Sequence, residues 1–310
     1  MTMQTLERIS HIQDDSLLSR IGKTPLIRLA RVSSNPRVRI YAKAEWYNPG
    51  GSVKDRPVLN MVLEGLRSGK MTKGKTIIDA TSGNSGIAYA MIGATMGYPV
   101  ELVMPENVGS ERRRIIEAFG GKITYSDPLE GTDGSRNLVK TIVALSPDHY
   151  FYPDQYNNPA NWQAHFETTG KEILQQTDGM VTHFVCGLGT AGTFVGTARR
   201  LKLASPSMQA IAVQPDGPLH GLEGLKHLAS AWVPGIYDPA LVDETEEVST
   251  EDAYAMVKRL ARDEGILVGI SSGAAAVAAV RVAERLEEGV VVTVFPDDAA
   301  KYLGERFWEI

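Results

Sequence analysis

The sequence predicts an α/β fold, two parallel-rich twisted sheets flanked by helices, and three observations carry that reading. Short apolar, β-branched runs recur along the chain at residues 76–78, 100–104, 182–186, 209–213 and 290–295. Helical patterns separate them, and strands alternating with helices imply parallel sheets covered on both faces. Glycine- or hydroxyl-rich turns stand where strand gives way to helix: Asn48-Pro49-Gly50-Gly51-Ser52-Val53-Lys54-Asp55-Arg56, Thr81-Ser82-Gly83-Asn84-Ser85-Gly86 and Gly187-Leu188-Gly189-Thr190-Ala191-Gly192. The 310 residues suffice for one large domain or two ordinary ones.

In chain order, residues 1–24 read as a partly helical lead-in with Leu17, Leu18 and Ile21 on one face. Thr24-Pro25-Leu26-Ile27-Arg28-Leu29 is a short strand. Residues 38–46 form a second, in which Val38, Ile40, Ala42 and Ala44 alternate with more polar neighbours. After the first glycine turn comes a helical pattern at Val58, Met61, Val62 and Leu66, with Ser52 placed as its N-cap. Residues 75–80 read as a buried strand, and a small-residue helix comes next over 87–97. Strand, helix and strand are expected at 100–104, 110–120 and 122–125. Residues 148–161, rich in Tyr, Pro and Asn, read as a boundary or an active-site loop. The second half resumes with a strand at 182–186, a glycine turn, a helix at 193–203 and a strand at 209–213. Residues 214–248 read as a long irregular region. Helices over 251–264 and 272–286 and a strand over 290–295 complete the chain.

Composition narrows the function classes. Hydrophobic content of 43% with 22% charged residues describes a globular protein, and a net charge of −5 argues against a general nucleic-acid binder. The single cysteine, Cys186, allows no intramolecular disulfide and fits a reducing compartment. Six histidines show no zinc-ligand spacing, so no metal is expected. Glu7, Asp14 and Asp15 stand where a signal peptide would need an apolar core, and no run has the length of a membrane span. A cytoplasmic enzyme, neither membrane-bound nor nucleic-acid-binding, is the expectation.

The three turns carry the chemistry. Two glycines let the backbone turn sharply before Lys54, which falls in the first turn of a helix, where the dipole disfavours the ammonium form. A lysine held so is a candidate amine nucleophile of the type that forms Schiff bases; a solvated helix-start lysine is the alternative. Residues 187–192 match G-x-G-x-x-G and present backbone N–H groups to a phosphate. A dinucleotide reading finds Asp216 at the roughly 20-residue distance its acidic residue needs. Thr190 and Thr193, however, add hydroxyls that suit a terminal phosphate better than a bridging one. Residues 81–86 offer three hydroxyls, an amide and a helix N-terminus that can hold a carboxylate, or an ordinary helix cap. A nicotinamide enzyme leaves two of the three turns without a purpose. A cofactor with one phosphate and one aldehyde, with an amino-acid substrate, uses all three, and pyridoxal 5'-phosphate is that cofactor.

The chain resembles the cysteine synthase family of pyridoxal-phosphate enzymes over nearly its whole length. Besides the three turns, the resemblance rests on Gly22-Lys23-Thr24-Pro25-Leu26, Met104-Pro105-Glu106, Ser110-Glu111-Arg112-Arg113 and Asn158-Pro159-Ala160-Asn161. It extends through Gly189-Thr190-Ala191-Gly192-Thr193, Glu264-Gly265-Ile266 and Gly269-Ile270-Ser271-Ser272-Gly273-Ala274-Ala275. It implies a fold type II enzyme with the cofactor in a cleft between two domains. Residues 1–47 with 159–310 would form the larger one, and 48–158 a smaller, mobile one. It implies that Lys54 carries the cofactor as a Schiff base and that Asn84 bonds the ring hydroxyl oxygen. Gly189, Thr190, Ala191, Gly192 and Thr193 would cup the phosphate, with Ala191 where the family often has glycine. Ser271 would face the pyridine nitrogen. Thr81, Ser82, Ser85 and Gln155 would grip the substrate carboxylate.

The implied reaction is β-replacement of an O-activated L-serine by a sulfur nucleophile to give L-cysteine, in two stages, with Lys54 moving the α-proton. The sulfur donor could be sulfide, thiosulfate or a carrier-protein thiocarboxylate, and the family implies a homodimer. For the leaving group, the segment 220–227 carries His220, Lys226 and His227 where acetylserine-using relatives tend to be small or apolar. Lys226 resembles the position where phosphoserine-using relatives place an arginine, and a cation there would pair with a phosphate. O-phosphoserine or O-acetylserine is therefore the expected substrate. Asp297 and Asp298 depart from the serine pair many relatives show. A cystathionine β-synthase-like replacement or elimination enzyme is the alternative within the fold, and a nicotinamide-binding oxidoreductase the alternative outside it.

Overall fold

The computed structural model of the chain describes residues 16–309. Its strands are β1 (Leu26–Leu29), β2 (Val38–Ala44), β3 (Thr76–Ala80), β4 (Val100–Pro105), β5 (Lys122–Ser126), β6 (Tyr150–Phe151), β7 (His183–Gly187), β8 (Gln209–Pro215), β9 (Glu244–Val248) and β10 (Gly289–Phe295). The α-helices are α1 (Asp55–Arg67), α2 (Asn84–Met96), α3 (Ser110–Ala118), α4 (Gly131–Leu145), α5 (Pro159–Glu167), α6 (Thr169–Gln176), α7 (Gly192–Ala204), α8 (Thr250–Arg259) and α9 (Ile270–Arg285). They fall into two compact units, Asn48–Asn161 with residues 16–21, and Gly22–Tyr47 with residues 162–309.

The first unit holds a four-stranded parallel sheet in the order β5-β4-β3-β6. Every residue of β3 and β4 is buried, as parallel strands covered on both faces require. Met61 and Val62 of α1 and Ile87 and Met91 of α2 pack with Ile77 and Leu102 in its core. Leu18 lies in the same cluster, and residues 16–21 group with this unit, whereas the resemblance implied that they go with residues 22–47.

The second unit holds a six-stranded sheet in the order β1-β2-β10-β7-β8-β9. β1 is antiparallel to β2, and the other pairs are parallel. Helix α9 is built mostly of alanine and valine and is buried from Ile270 through Val280, the pattern of a helix enclosed on every side. Among the described residues no helix is long and apolar enough to cross a membrane.

The structure corrects the sequence-based expectations at several places. Of the expected lead-in helix, residues 1–15 lie outside the described residues, and Leu17–Arg20 forms only a short 3-10 turn. The strand from Val38 ends at Ala44, and Glu45–Tyr47 is a 3-10 turn. Helix α4 was not expected, although Leu138, Val139, Ile142 and Val143 pack at helical spacing against Ile78 and Val103. The region 214–248 ends in a strand, β9, whose sequence Glu-Thr-Glu-Glu-Val hides the period. It is an edge strand in which only Val248 is buried, and Glu244 and Glu246 pair with Arg285 of α9. Ser52 is not the N-cap of α1: Lys54 holds that position, and the Ser52 hydroxyl accepts the Lys54 amide at 3.2 Å.

Candidate active site

Each sheet has a topological switch point, where open α/β sheets gather their ligand-binding loops at the carboxyl ends of the strands. In the first unit β3, β4 and β5 step in one direction and β6 returns on the other side of β3. The loop at Thr81 leaves the carboxyl end of β3, and the segment holding Gln155 leaves that of β6. In the second unit β7, β8 and β9 step one way and β10 returns beside β7. The glycine turn leaves β7, and the segment after β10 bonds back to the start of α9.

Lys54 stands at the start of α1 in right-handed helical geometry, and its carbonyl accepts the Val58 amide at 3.1 Å. Gly51 has φ +76, open to glycine at little cost, and its amide bonds the Asn48 carbonyl at 2.8 Å. Gly50 donates its amide to the fully buried Asp55 carboxylate at 2.5 Å. A Cβ on Gly50 would meet that carboxylate at 2.5 Å, so the acid in the first turn of α1 locks the loop that delivers Lys54.

The carboxylate loop is set by its own hydroxyls. Thr81 Oγ1 accepts the amides of Gly83 at 3.0 Å and Gly86 at 3.2 Å. With both lone pairs engaged, the Thr81 hydroxyl can only donate. Ser85 Oγ donates to Gln155 Oε1 at 2.7 Å, and Gln155 Nε2 donates to the Ala80 carbonyl at 2.7 Å. One amide hydrogen of Gln155 is left to face a ligand. Ser82 is exposed and Asn84 opens α2, so the loop carries a hydroxyl, an amide and a helix N-terminus, the kinds of group that can hold an amino-acid carboxylate.

The glycine turn fits a terminal phosphate. Among the described residues the amides of Gly189, Ala191, Gly192 and Thr193 have no backbone acceptor, which leaves donors of α7 aimed outward. Thr190 adds a buried side chain, and the Thr193 hydroxyl lies 3.3 Å from His165 Nε2. A Cβ on Gly189 would stand 2.3 Å from the Gly224 carbonyl oxygen, so glycine there permits close backbone approach. Ala191 occupies the left-handed region at φ +67, where an L side chain costs about 1 kcal/mol. Ala191→Gly is therefore expected to keep cofactor affinity and to raise stability by up to about 1 kcal/mol, read from the denaturant midpoint.

The segment bearing Lys226 packs on this turn. Its amide donates to the Leu188 carbonyl at 2.8 Å, and Leu225 fills the space beside Gly187. His220 Nδ1 accepts the Leu222 amide at 3.1 Å, and burial lowers its pKa below the ordinary 6.5. His220 is thus neutral at pH 7.

Ser271 is the second residue of α9, 6% exposed and without a side-chain hydrogen bond among the described residues. Such a hydroxyl suits a ring nitrogen acceptor. Asp297, which departs from the family pattern, has a structural account: its carboxylate accepts the Tyr302 hydroxyl at 2.8 Å and pairs with Lys301. Its carbonyl accepts the Gly269 amide at 3.1 Å, two residues before Ser271. Asp298 caps the next turn by accepting the Ala300 amide at 2.9 Å.

In the first unit Ser85 and Gln155 are bonded to each other and Thr81 orders the loop that carries Ser85, and in the second Lys226 adjoins the glycine turn. Asp79 escaped the sequence reading, where an acid inside an apolar strand was the available signal, and Asp55 and Asp297 were given no role there. Among the described residues no group of three or more metal-ligating side chains occurs. The donor sets fit a cofactor with one phosphate and a heteroaromatic nitrogen.

Comparison with known proteins agrees. The family model described as pyridoxal-phosphate dependent enzyme matches residues 17–297. A cysteine synthase of Aquifex aeolicus is 53% identical over 296 residues, covering 93% of this chain and 90% of that protein. The crystal structure of a cysteine synthase from Entamoeba histolytica superposes with a TM-score of 0.90 at 35% identity, covering 96% of this chain and 91% of the other. The O-acetylserine dependent cystathionine beta-synthase of Helicobacter pylori gives a TM-score of 0.88 at 36% identity, covering 94% and 97%.

Proposed function

Because the chain belongs to the family of pyridoxal-phosphate dependent enzymes, we propose that it is a cysteine synthase, replacing the β-substituent of an O-activated L-serine by sulfur. The observation that carries the substrate class is the loop in which Thr81 Oγ1 holds the Gly83 and Gly86 amides and Ser85 and Ala80 hold Gln155 with one amide hydrogen to spare, a setting for an amino-acid carboxylate. The relatives carry the reaction type.

Pyridoxal phosphate, when bound, supplies an electron sink for the substrate α-carbon. Lys54 anchors it through its amine and, once freed, takes the α-proton and later returns it. Residues 189–193 hold the phosphate through amides and hydroxyls. Asn84 would bond the ring hydroxyl oxygen, and Ser271 would meet the ring nitrogen with a neutral hydroxyl, which would favour elimination and replacement over transamination. Thr81, Ser82, Ser85 and Gln155 orient the substrate by its carboxylate. The leaving group departs from the β-carbon, and the sulfur nucleophile takes its place.

Lys226 directs the choice of leaving group toward phosphate. It stands in a segment where burial lowers the pKa of His220, although a lysine lacks the bidentate fork of arginine. O-phosphoserine is therefore expected to be a substrate, and Lys226→Ala to lower its kcat/KM about tenfold while changing that for O-acetylserine less than threefold. Phosphoserine inert with both enzymes would restrict the substrate to O-acetylserine. A homodimer belongs to the same reading, and a cytoplasmic setting is supported by a chain with one cysteine, the buried Cys186. Offering homocysteine in place of sulfide tests the cystathionine-forming alternative.

A further inference from the structure

Asp79 lies at the switch point of the first sheet, fully buried in the penultimate position of β3. Its Oδ1 accepts the Ala80 amide at 2.8 Å. Its Oδ2 accepts the Tyr89 hydroxyl at 2.6 Å and the Gln155 amide at 3.3 Å. Those three donors come from the end of β3, from α2 and from the segment after β6. The same three pieces carry Thr81, Ser85 and Gln155. Three donors converge on one side chain that need donate nothing, an arrangement a carboxylate answers in full. An asparagine would set its own N–H against one of them.

On the cysteine synthase reading, we propose that Asp79 is a positioning residue for the substrate carboxylate, acting through the Gln155 backbone and Tyr89. Gln155 is pinned at both ends: its amide by Asp79, its side chain by Ala80 and Ser85, and its carbonyl by Asn161 Nδ2 at 2.6 Å. Removing the carboxylate releases the backbone end and lets the side chain drift from the bound carboxylate.

The groups around Asp79 give the effect a pH dependence. Tyr89 faces it from α2, and Tyr152, Asp154 and Tyr156 from the segment after β6. Arg136 and Asp133 of α4 act on the tyrosines, with Arg136 stacked 4.2 Å over the Tyr156 ring. Burial, opposed by the Tyr89 hydrogen bond and reinforced by the Asp154 charge, raises the Asp79 carboxyl to about 7. Protonation sets an O–H against one of the three donors, as asparagine would, and so loosens the hold on Gln155. By linkage, affinity for the substrate carboxylate is full above pH 7 and falls as pH drops through it.

The test compares wild type, Asp79→Asn, Tyr89→Phe and the double variant, all loaded with pyridoxal phosphate. Asp79→Asn should raise KM for the serine ester about tenfold, with kcat within about threefold and wild-type cofactor absorbance. Tyr89→Phe should raise KM about threefold, and the double variant should be no worse than Asp79→Asn. Propionate, a carboxylate without an amine, is titrated in parallel by its effect on the thermal midpoint. Its affinity should strengthen between pH 6 and pH 8 in wild type and stay level in Asp79→Asn. An unchanged KM, additive variants, or the same pH profile in both proteins would overturn the proposal. Should Asp79→Asn not fold, Tyr89→Phe carries the test, with a wild-type KM overturning it. A wild type that turns over no serine ester would fail the cysteine synthase reading instead, and the propionate titration would still decide the role of Asp79 in holding a carboxylate.

Discussion

Lys54→Ala is expected to lower cysteine formation by a factor of about 10³ or more while leaving the fold in place. The loss is large because one amine both anchors the cofactor and moves the α-proton, so no second group covers either task. The fold survives because the local contacts of Lys54 that shape the turn are made by its backbone. Its amide bonds Ser52 Oγ at 3.2 Å and its carbonyl accepts the Val58 amide at 3.1 Å, and alanine keeps both. Turnover, far-ultraviolet circular dichroism and the visible cofactor band check this together. A variant that still makes cysteine within tenfold of wild type would remove Lys54 from its role.

Gly189→Ala is expected to weaken cofactor binding about a hundredfold, roughly 3 kcal/mol. The added methyl would stand 2.3 Å from the Gly224 carbonyl oxygen, a backbone atom that cannot swing aside as a side chain can. Relief requires the glycine turn or the segment of Gly224 to move. The first breaks the alignment of the amides of residues 189–193, and the second displaces Lys226. Fluorescence titration of the apoprotein with pyridoxal phosphate measures the effect. Ala191→Gly is the control, since it relaxes the same turn without adding an atom. Equal affinities in wild type and Gly189→Ala would show that this turn does not hold the phosphate.

Much of the fold and site was legible in the residues, because the strand runs of a doubly covered sheet are apolar and the turns between strand and helix carry their chemistry in consecutive positions. Thr81 through Gly86 is one such run, and Gly189 through Thr193 another. What escaped was what sequence distance hides. Ser85 meets Gln155, and Asp79 meets Tyr89 and Gln155, only once β6 has returned beside β3. β9 was missed because an edge strand needs few apolar residues, and Val248 is the one it buries. Helix α4 was missed because Gly131 and Gly134 open it with residues that read as loop. Asp297 gained its account from Tyr302 and Gly269, the second of them 28 residues away in sequence.

The central claim is tested most directly by incubating the holoenzyme with sulfide and either O-phosphoserine or O-acetylserine, and measuring cysteine against ester consumed. Equal amounts of cysteine formed and ester consumed, with at least one of the two esters, are expected. Ester consumed without cysteine, or no consumption of either ester by a fully loaded enzyme, would contradict it.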